Sequence, residues 1–223
     1  MNEQFRGRLK ALVFDLDGTL IDSKQDLALS VNATLRAIGR EELPAELVAS
    51  FVGSGAPVLI RRALGGSTPS EELQHALTYF LAHYEEHKLD HTRAYPGVKE
   101  TLRDLHDRPM AVLTNKPVNT SVRILEQLGL AGFFKVIYGG NSFATKKPDP
   151  QGANAILSEL GVRGSEAVMV GDSEVDVQTA RNAGMVSAIV NFGFGTHDRA
   201  AYPADIYVNK MGELVELMNN GRV

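Results

Sequence analysis

The chain has 223 residues, about one and a half times the usual ~150 per domain, which reads as one large domain or one domain carrying an insertion. Hydrophobic residues make up 43% and charged residues 22%, enough to bury a sizeable core and unlike a disordered chain. A net charge of −4 excludes an overall basic field for nucleic acid or an anionic membrane, and the absence of cysteine excludes disulfides, thiolate nucleophiles and cysteine-ligated metals.

A basic start runs into Ala11–Phe14, four apolar residues that are too few for a signal segment. No stretch approaches the ~18 apolar residues of a membrane span, so a cytoplasmic location is expected. Ala11–Phe14 reads as a first strand, and after it the texture changes. Leu27, Val31, Leu35 and Ile38 recur at helical spacing between Ser23, a candidate N-cap, and Gly39, a stop. A second helix starts at Pro44, and a third covers 58–64 before Gly65-Gly66. A fourth runs over 70–87 with Leu73, Leu77, Phe80, Leu81 and Tyr84 on its apolar side. His75, His83, His87 and His91 are spaced in multiples of four and read as a polar stripe rather than a metal site.

From about residue 92 onward, short β-rich runs alternate with helices. The expected strands are Met110–Leu113, Val136–Tyr138, 167–170, Val186–Val190 and Ile206–Val208, and the helices 97–106, 118–128, 150–160, 175–183 and 211–219. Gly129, Gly161 and Gly184 mark helix stops, and Asp149-Pro150 an N-cap with a first-turn proline. The fold class is therefore α/β, a doubly wound, Rossmann-like parallel sheet with a four-helix cap inserted after the first strand. The boundaries are 1–20 and 92–223 for the catalytic core and 21–91 for the cap. Its ligand site belongs outside the carboxyl ends of the strands.

Those ends carry chemistry: Asp15-Leu16-Asp17-Gly18-Thr19, Thr114-Asn115-Lys116 and Gly171-Asp172-Ser173-Glu174-Val175-Asp176, with Lys146-Lys147-Pro148 ahead of the 150–160 helix. Clustered carboxylates repel unless a hard cation compensates, and oxygen-only donors select Mg²⁺. A lysine and a hydroxyl beside that ion suit a phosphoryl group, whose transfer rests on positioning and charge stabilisation. Carboxylates are also competent nucleophiles.

At these four motifs the sequence resembles the haloacid dehalogenase-like superfamily of phosphohydrolases, and in the cap Phe51-Val52-Gly53-Ser54-Gly55-Ala56, followed by Pro57–Leu64, resembles the substrate-facing segment of phosphoglycolate phosphatases. The resemblance implies that Asp15 is the nucleophile and Asp17 the acid and then the base. It places Mg²⁺ on the Asp15 carboxylate, the Asp17 backbone carbonyl and Asp172. Thr114 and Lys147 would hold the phosphoryl group, with Asn115 a further donor. Lys147, which directly precedes the proline, is the family lysine, and Lys146 is a solvated neighbour. Asp176 would orient the metal site or Lys147. Gly18 would permit a turn and present amides to phosphate. In the cap, Ser54, the backbone amides around Gly53 and Gly55, and Arg61 or Arg62 are candidates for recognising a small carboxylate.

The implied function is Mg²⁺-dependent hydrolysis of a small phosphorylated metabolite, 2-phosphoglycolate foremost, through an aspartyl-phosphate. The alternatives are another small-metabolite phosphatase on the scaffold (pyrophosphatase, nucleotidase, phosphosugar phosphatase or mutase) and, more distantly, a non-catalytic regulatory binding protein. No nucleic acid or membrane partner is expected, and the state is monomer or homodimer.

Overall fold

The computed structural model describes residues 5, 7–195 and 197–219. Six strands, β1 (Ala11–Phe14), β4 (Met110–Leu113), β5 (Val136–Tyr138), β6 (Ala167–Gly171), β7 (Val186–Val190) and β8 (Ile206–Val208), form one sheet in the order β5-β4-β1-β6-β7-β8. Every pairing is parallel. The apolar runs read as strands because helices cover both faces. Along β1, Leu12 and Phe14 pack on one face with Leu102, Ile124 and Leu214, while Ala11 and Val13 pack on the other with Ile156 and Ala180.

The covering helices are α5 (Val98–Asp104), α6 (Val118–Gln127), α7 (Gln151–Leu160), α8 (Glu174–Asn182) and α9 (Glu213–Asn219). They match the expected segments with ends shifted by at most two residues. Pro150 rather than Asp149 stands at the N-cap of α7, and Asp149, one residue earlier, accepts the Gln151 N–H on its Oδ1 at 2.9 Å.

Between β1 and β4 the chain forms α1 (Lys24–Ala37), α2 (Ala45–Ala49), α3 (Ala56–Ala63) and α4 (Ser70–His87). They enclose an apolar cluster of their own, built from Leu27, Val31, Leu35, Val48, Leu59, Ile60, Phe80 and Tyr84. Two expectations need adjusting. α3 starts at Ala56, two residues early, because Gly55 at φ +87° turns the chain and Pro57 suits the first turn. Leu81 is 42% exposed instead of packed in this cluster, and it faces the cleft described below. An antiparallel ribbon of β2 (Ile21–Asp22) and β3 (Arg93–Ala94) was not foreseen; at two residues per strand it has no periodicity to read. It ties together the points where the chain leaves the sheet layer and returns to it.

Among the described residues, no helix is long and apolar enough to cross a membrane. The His83 and His87 rings lie with centres 4.3 Å apart and planes tilted by 32°, and their Nδ1 atoms pair with Ser30 and Asp90; His91 lies beyond the helix end.

Candidate active site

The crevice opens where β1 is flanked by β4 on one side and β6 on the other, the point at which connections diverge to the two sheet edges. Asp15 follows β1, Thr114 follows β4, and Asp172 follows β6. Lys147 comes from the segment before α7, and the Lys147–Pro148 peptide is cis.

Asp15, Asp172 and Asp176 are buried and bring carboxylate oxygens within 4.8 Å of one another. Lys147 Nζ lies 2.8 Å from Asp15 Oδ1 and 2.7 Å from Asp176 Oδ1. With all three carboxyls ionised, the one ammonium would leave two negative charges uncompensated in a buried site. Burial is the main reason the Asp15 carboxyl is pushed up to about 6, with Lys147 opposing and Asp176 reinforcing the shift. Burial, then Asp176 and Asp15, push Asp172 well above the usual carboxylate range. Burial works against the Lys147 charge, but Asp15 and Asp176 outweigh it and hold the ammonium firmly protonated.

A hard divalent cation fits this donor set. The surroundings of Asp172 point the same way. Its Oδ2 accepts N–H groups from Phe194 at 3.1 Å and Gly195 at 2.6 Å, and a Cβ on Gly18 would sit 1.8 Å from that oxygen. Gly193 and Gly195 also leave no room for a side chain against Asp172. The backbone thus closes around this carboxylate more tightly than any residue but glycine allows. Asp176 has both oxygens engaged: Oδ1 by Lys147, and Oδ2 by the N–H (3.1 Å) and hydroxyl (2.7 Å) of Ser173, which makes the capping box of α8. It therefore orients Lys147 while starting a helix.

Asp17, two residues after Asp15 across a bend at Leu16, lines the same cleft, but its carboxylate is not one of the three clustered acids. Lys116 Nζ sits 2.8 Å from each of its oxygens, and Ser23 donates its hydroxyl to Oδ1. Ser23 thus stands at the N-cap of α1 without a side-chain cap bond, its hydroxyl spent on Asp17. The Lys116 ammonium lies 4.6 Å from the centre of the Tyr84 ring. Burial alone would weaken the Lys116 charge, but Asp17 more than compensates and holds it protonated. Burial pushes the Tyr84 hydroxyl up to about 12.

Thr114 is buried in the cleft, and its Oγ1 accepts the Lys116 N–H at 3.2 Å, which leaves the hydroxyl proton for another acceptor. Other expected residues have contacts or positions of a different kind. Asn115 gives its amide N–H groups to the carbonyls of Gly53 at 2.8 Å and Lys147 at 3.0 Å, so its side chain ties the helical layer to the lysine segment and has no spare N–H for a phosphoryl group. Gly18 does make the turn, at φ +78°, but its amide donates to Ile21 at 2.9 Å. Ser54 and Arg61 are absent from the cleft lining, and Arg61 is exposed on α3; the lining from this part of the chain is Val52, Gly53, Gly55, Ala56 and Leu59. Lys146 is exposed, as expected of a solvated neighbour.

Lys116, Tyr84 and the amides of Phe194 and Gly195 went unassigned in the sequence. Lys116 follows Thr114-Asn115 directly, and Gly193-Phe194-Gly195 follows β7, so a strand-end signal existed for both. Tyr84 carried none, since it reads as one more core position of an amphipathic helix.

The family model for haloacid dehalogenase-like hydrolases matches residues 12–190. This chain belongs to the haloacid dehalogenase-like hydrolase family. Phosphoglycolate phosphatase of Chromobacterium violaceum is 38% identical over 219 residues, covering 96% of this chain and 98% of that protein. The enzyme of the same name from Vibrio parahaemolyticus is 40% identical over 222 residues, covering 94% and 96%. Among solved structures, a predicted phosphoglycolate phosphatase from Haemophilus somnus superposes with a TM-score of 0.88 at 30% identity, covering 94% of this chain and 98% of that one.

Proposed function

We propose that this hydrolase is a Mg²⁺-dependent phosphomonoesterase that forms an aspartyl-phosphate on Asp15 and acts on 2-phosphoglycolate. The observation that carries the reading is the buried set of Asp15, Asp172, Asp176 and Lys147, with Asp17 two residues from Asp15 in the same cleft. The names of the relatives that cover nearly the whole chain support the substrate.

In this mechanism a carboxylate oxygen of Asp15 attacks phosphorus and the bond to the ester oxygen breaks. Asp17 gives its proton to the departing alkoxide, and glycolate leaves. Water then attacks phosphorus while Asp17 takes its proton, the bond between phosphorus and Asp15 breaks, and phosphate departs. Lys147 and the Thr114 hydroxyl hold the phosphoryl oxygens, and Asp176 fixes Lys147. Mg²⁺, held by the Asp15 carboxylate, the Asp17 carbonyl and Asp172, would supply positive charge against the phosphoryl oxygens. Residues 21–91 act as the cap over a core of 1–20 and 92–223, shielding the cleft from water.

The test is a panel of phosphate esters assayed with Mg²⁺ and with EDTA, on the wild type, Asp15→Asn and Asp17→Asn. The reading expects 2-phosphoglycolate to lead the panel, EDTA to stop turnover, and both variants to be inactive while Asp17→Asn still binds Mg²⁺. Substantial turnover by Asp15→Asn would sink the covalent route.

A further inference from the structure

The cleft is walled on its helical side by Leu27, Val52, Leu59, Phe80 and Leu81, and among the described residues Lys116 is the one lysine or arginine lining it. An ammonium has three N–H groups; the two Asp17 oxygens take two, and the third lies on the Tyr84 side without a well-formed bond to an oxygen. Beside it, the Tyr84 hydroxyl is buried in the cleft lining and lies near the Lys116 ammonium without a well-formed hydrogen bond to it or to any other group. A buried, unpartnered hydroxyl is costly and marks a position where a ligand atom can complete the set. Lys147 does not line this part of the cleft; it stands between Asp15 and Asp176, at the phosphoryl end.

We infer that Lys116 and Tyr84 form a subsite for a carboxylate on the substrate, and that this pair, rather than an arginine of α3, selects acidic phosphate esters. This rests on the phosphomonoesterase reading and deepens it. One carboxylate oxygen accepts the third N–H of Lys116, the other accepts the Tyr84 hydroxyl, and the phosphoryl end lies at Asp15, next to Asp17 and hence to Lys116. Tyr84 belongs to α4, so the subsite joins the two layers and is complete only when α4 is seated over the cleft.

The experiment compares kcat/KM for 2-phosphoglycolate with that for 2-hydroxyethyl phosphate, which carries an alcohol in place of the carboxylate, in the Mg²⁺-loaded wild type, Lys116→Met and Tyr84→Phe. The subsite predicts that the wild-type ratio favours the acid. It should fall by about tenfold or more in Lys116→Met and several-fold in Tyr84→Phe, as expected for a lost hydrogen bond to a charged group, with the larger change in KM. Equal losses on both esters would mean that Lys116 serves Asp17 alone, and would overturn the subsite. If Lys116→Met fails to fold by circular dichroism, an unchanged ratio in Tyr84→Phe overturns it just as well. A second pair, 3-phosphoglycerate against glycerol 3-phosphate, separates this claim from the substrate assignment. Should the wild type prefer only the longer acid and the variants erase that preference, the subsite stands and the 2-phosphoglycolate reading falls. A wild type that turns over esters without preferring either acid removes the subsite and leaves the phosphatase intact.

Discussion

The two layers of this molecule build the same cleft by different means. The sheet contributes groups from strand ends, where Asp15, Thr114 and Asp172 are fixed by parallel pairing and held by charges such as Lys147 and Asp176. The helices α1–α4 contribute a wall by packing: the faces of Leu59, Phe80 and Tyr84 that complete an apolar cluster also close the crevice. Chemistry fixed by strand ends tolerates few substitutions, whereas a packed wall can be retuned residue by residue. This division lets one core serve different substrates.

The comparison is sharpened most by Asp15→Asn, which should lower turnover on the order of 10⁴-fold without altering the fold, as steady-state kinetics and circular dichroism would show. Lys147→Met attacks the same set from the other side. Removing the one cation from three buried carboxylates should lower the stability of the metal-free protein by about 3–5 kcal/mol in urea titration, and adding a divalent cation should recover much of the loss. Phe80→Ala strikes the helical layer, where the emptied space should cost about 3–5 kcal/mol. Hydrogen exchange should then quicken in α1 and α4 before β1 and β6; equal acceleration of the strands would show that the layers are not separable. A smaller effect follows from pH. Because the folded Asp15 carboxyl is raised to about 6, the native state binds more protons than the unfolded chain between about pH 4 and 6. In EDTA this group makes the protein less stable as pH rises through that window, so the difference in stability between wild type and Asp15→Asn should grow toward pH 7 and shrink when a divalent cation is added. The smallest effect is Glu85→Gln, which removes ion pairs of Glu85 with Lys88 and with Arg123 of α6 at the rim; with Glu85 37% exposed, about 0–1 kcal/mol is expected.

How much of this was legible follows the same division. All six sheet strands and the burial of Asp15, Lys147, Asp172 and Asp176 could be anticipated, because short apolar runs and the residues just after them carry local signals. The partner of Asp17 could not: Lys116 is 99 residues away in sequence, and only the pairing of β1 with β4 brings the two loops together. Ser54 and Arg61 were natural guesses for a carboxylate site by residue type, yet the rotation of α3 that buries Leu59 and Ile60 leaves Arg61 outside. The contacts of Asn115 were hidden for a related reason. Its acceptors are backbone carbonyls of Gly53 and Lys147, and no motif encodes which carbonyl a folded loop presents.

The central claim, that Asp15 itself takes the phosphoryl group, is tested most directly by trapping. The Mg²⁺-loaded enzyme would be quenched during turnover of 2-phosphoglycolate, treated with borohydride, which reduces an acyl phosphate to the alcohol, and digested for mass spectrometry. The account predicts homoserine at position 15 and unmodified aspartate at positions 17, 172 and 176. Reduction at another carboxylate, or none at position 15 while Asp15→Asn still turns over substrate, would contradict it.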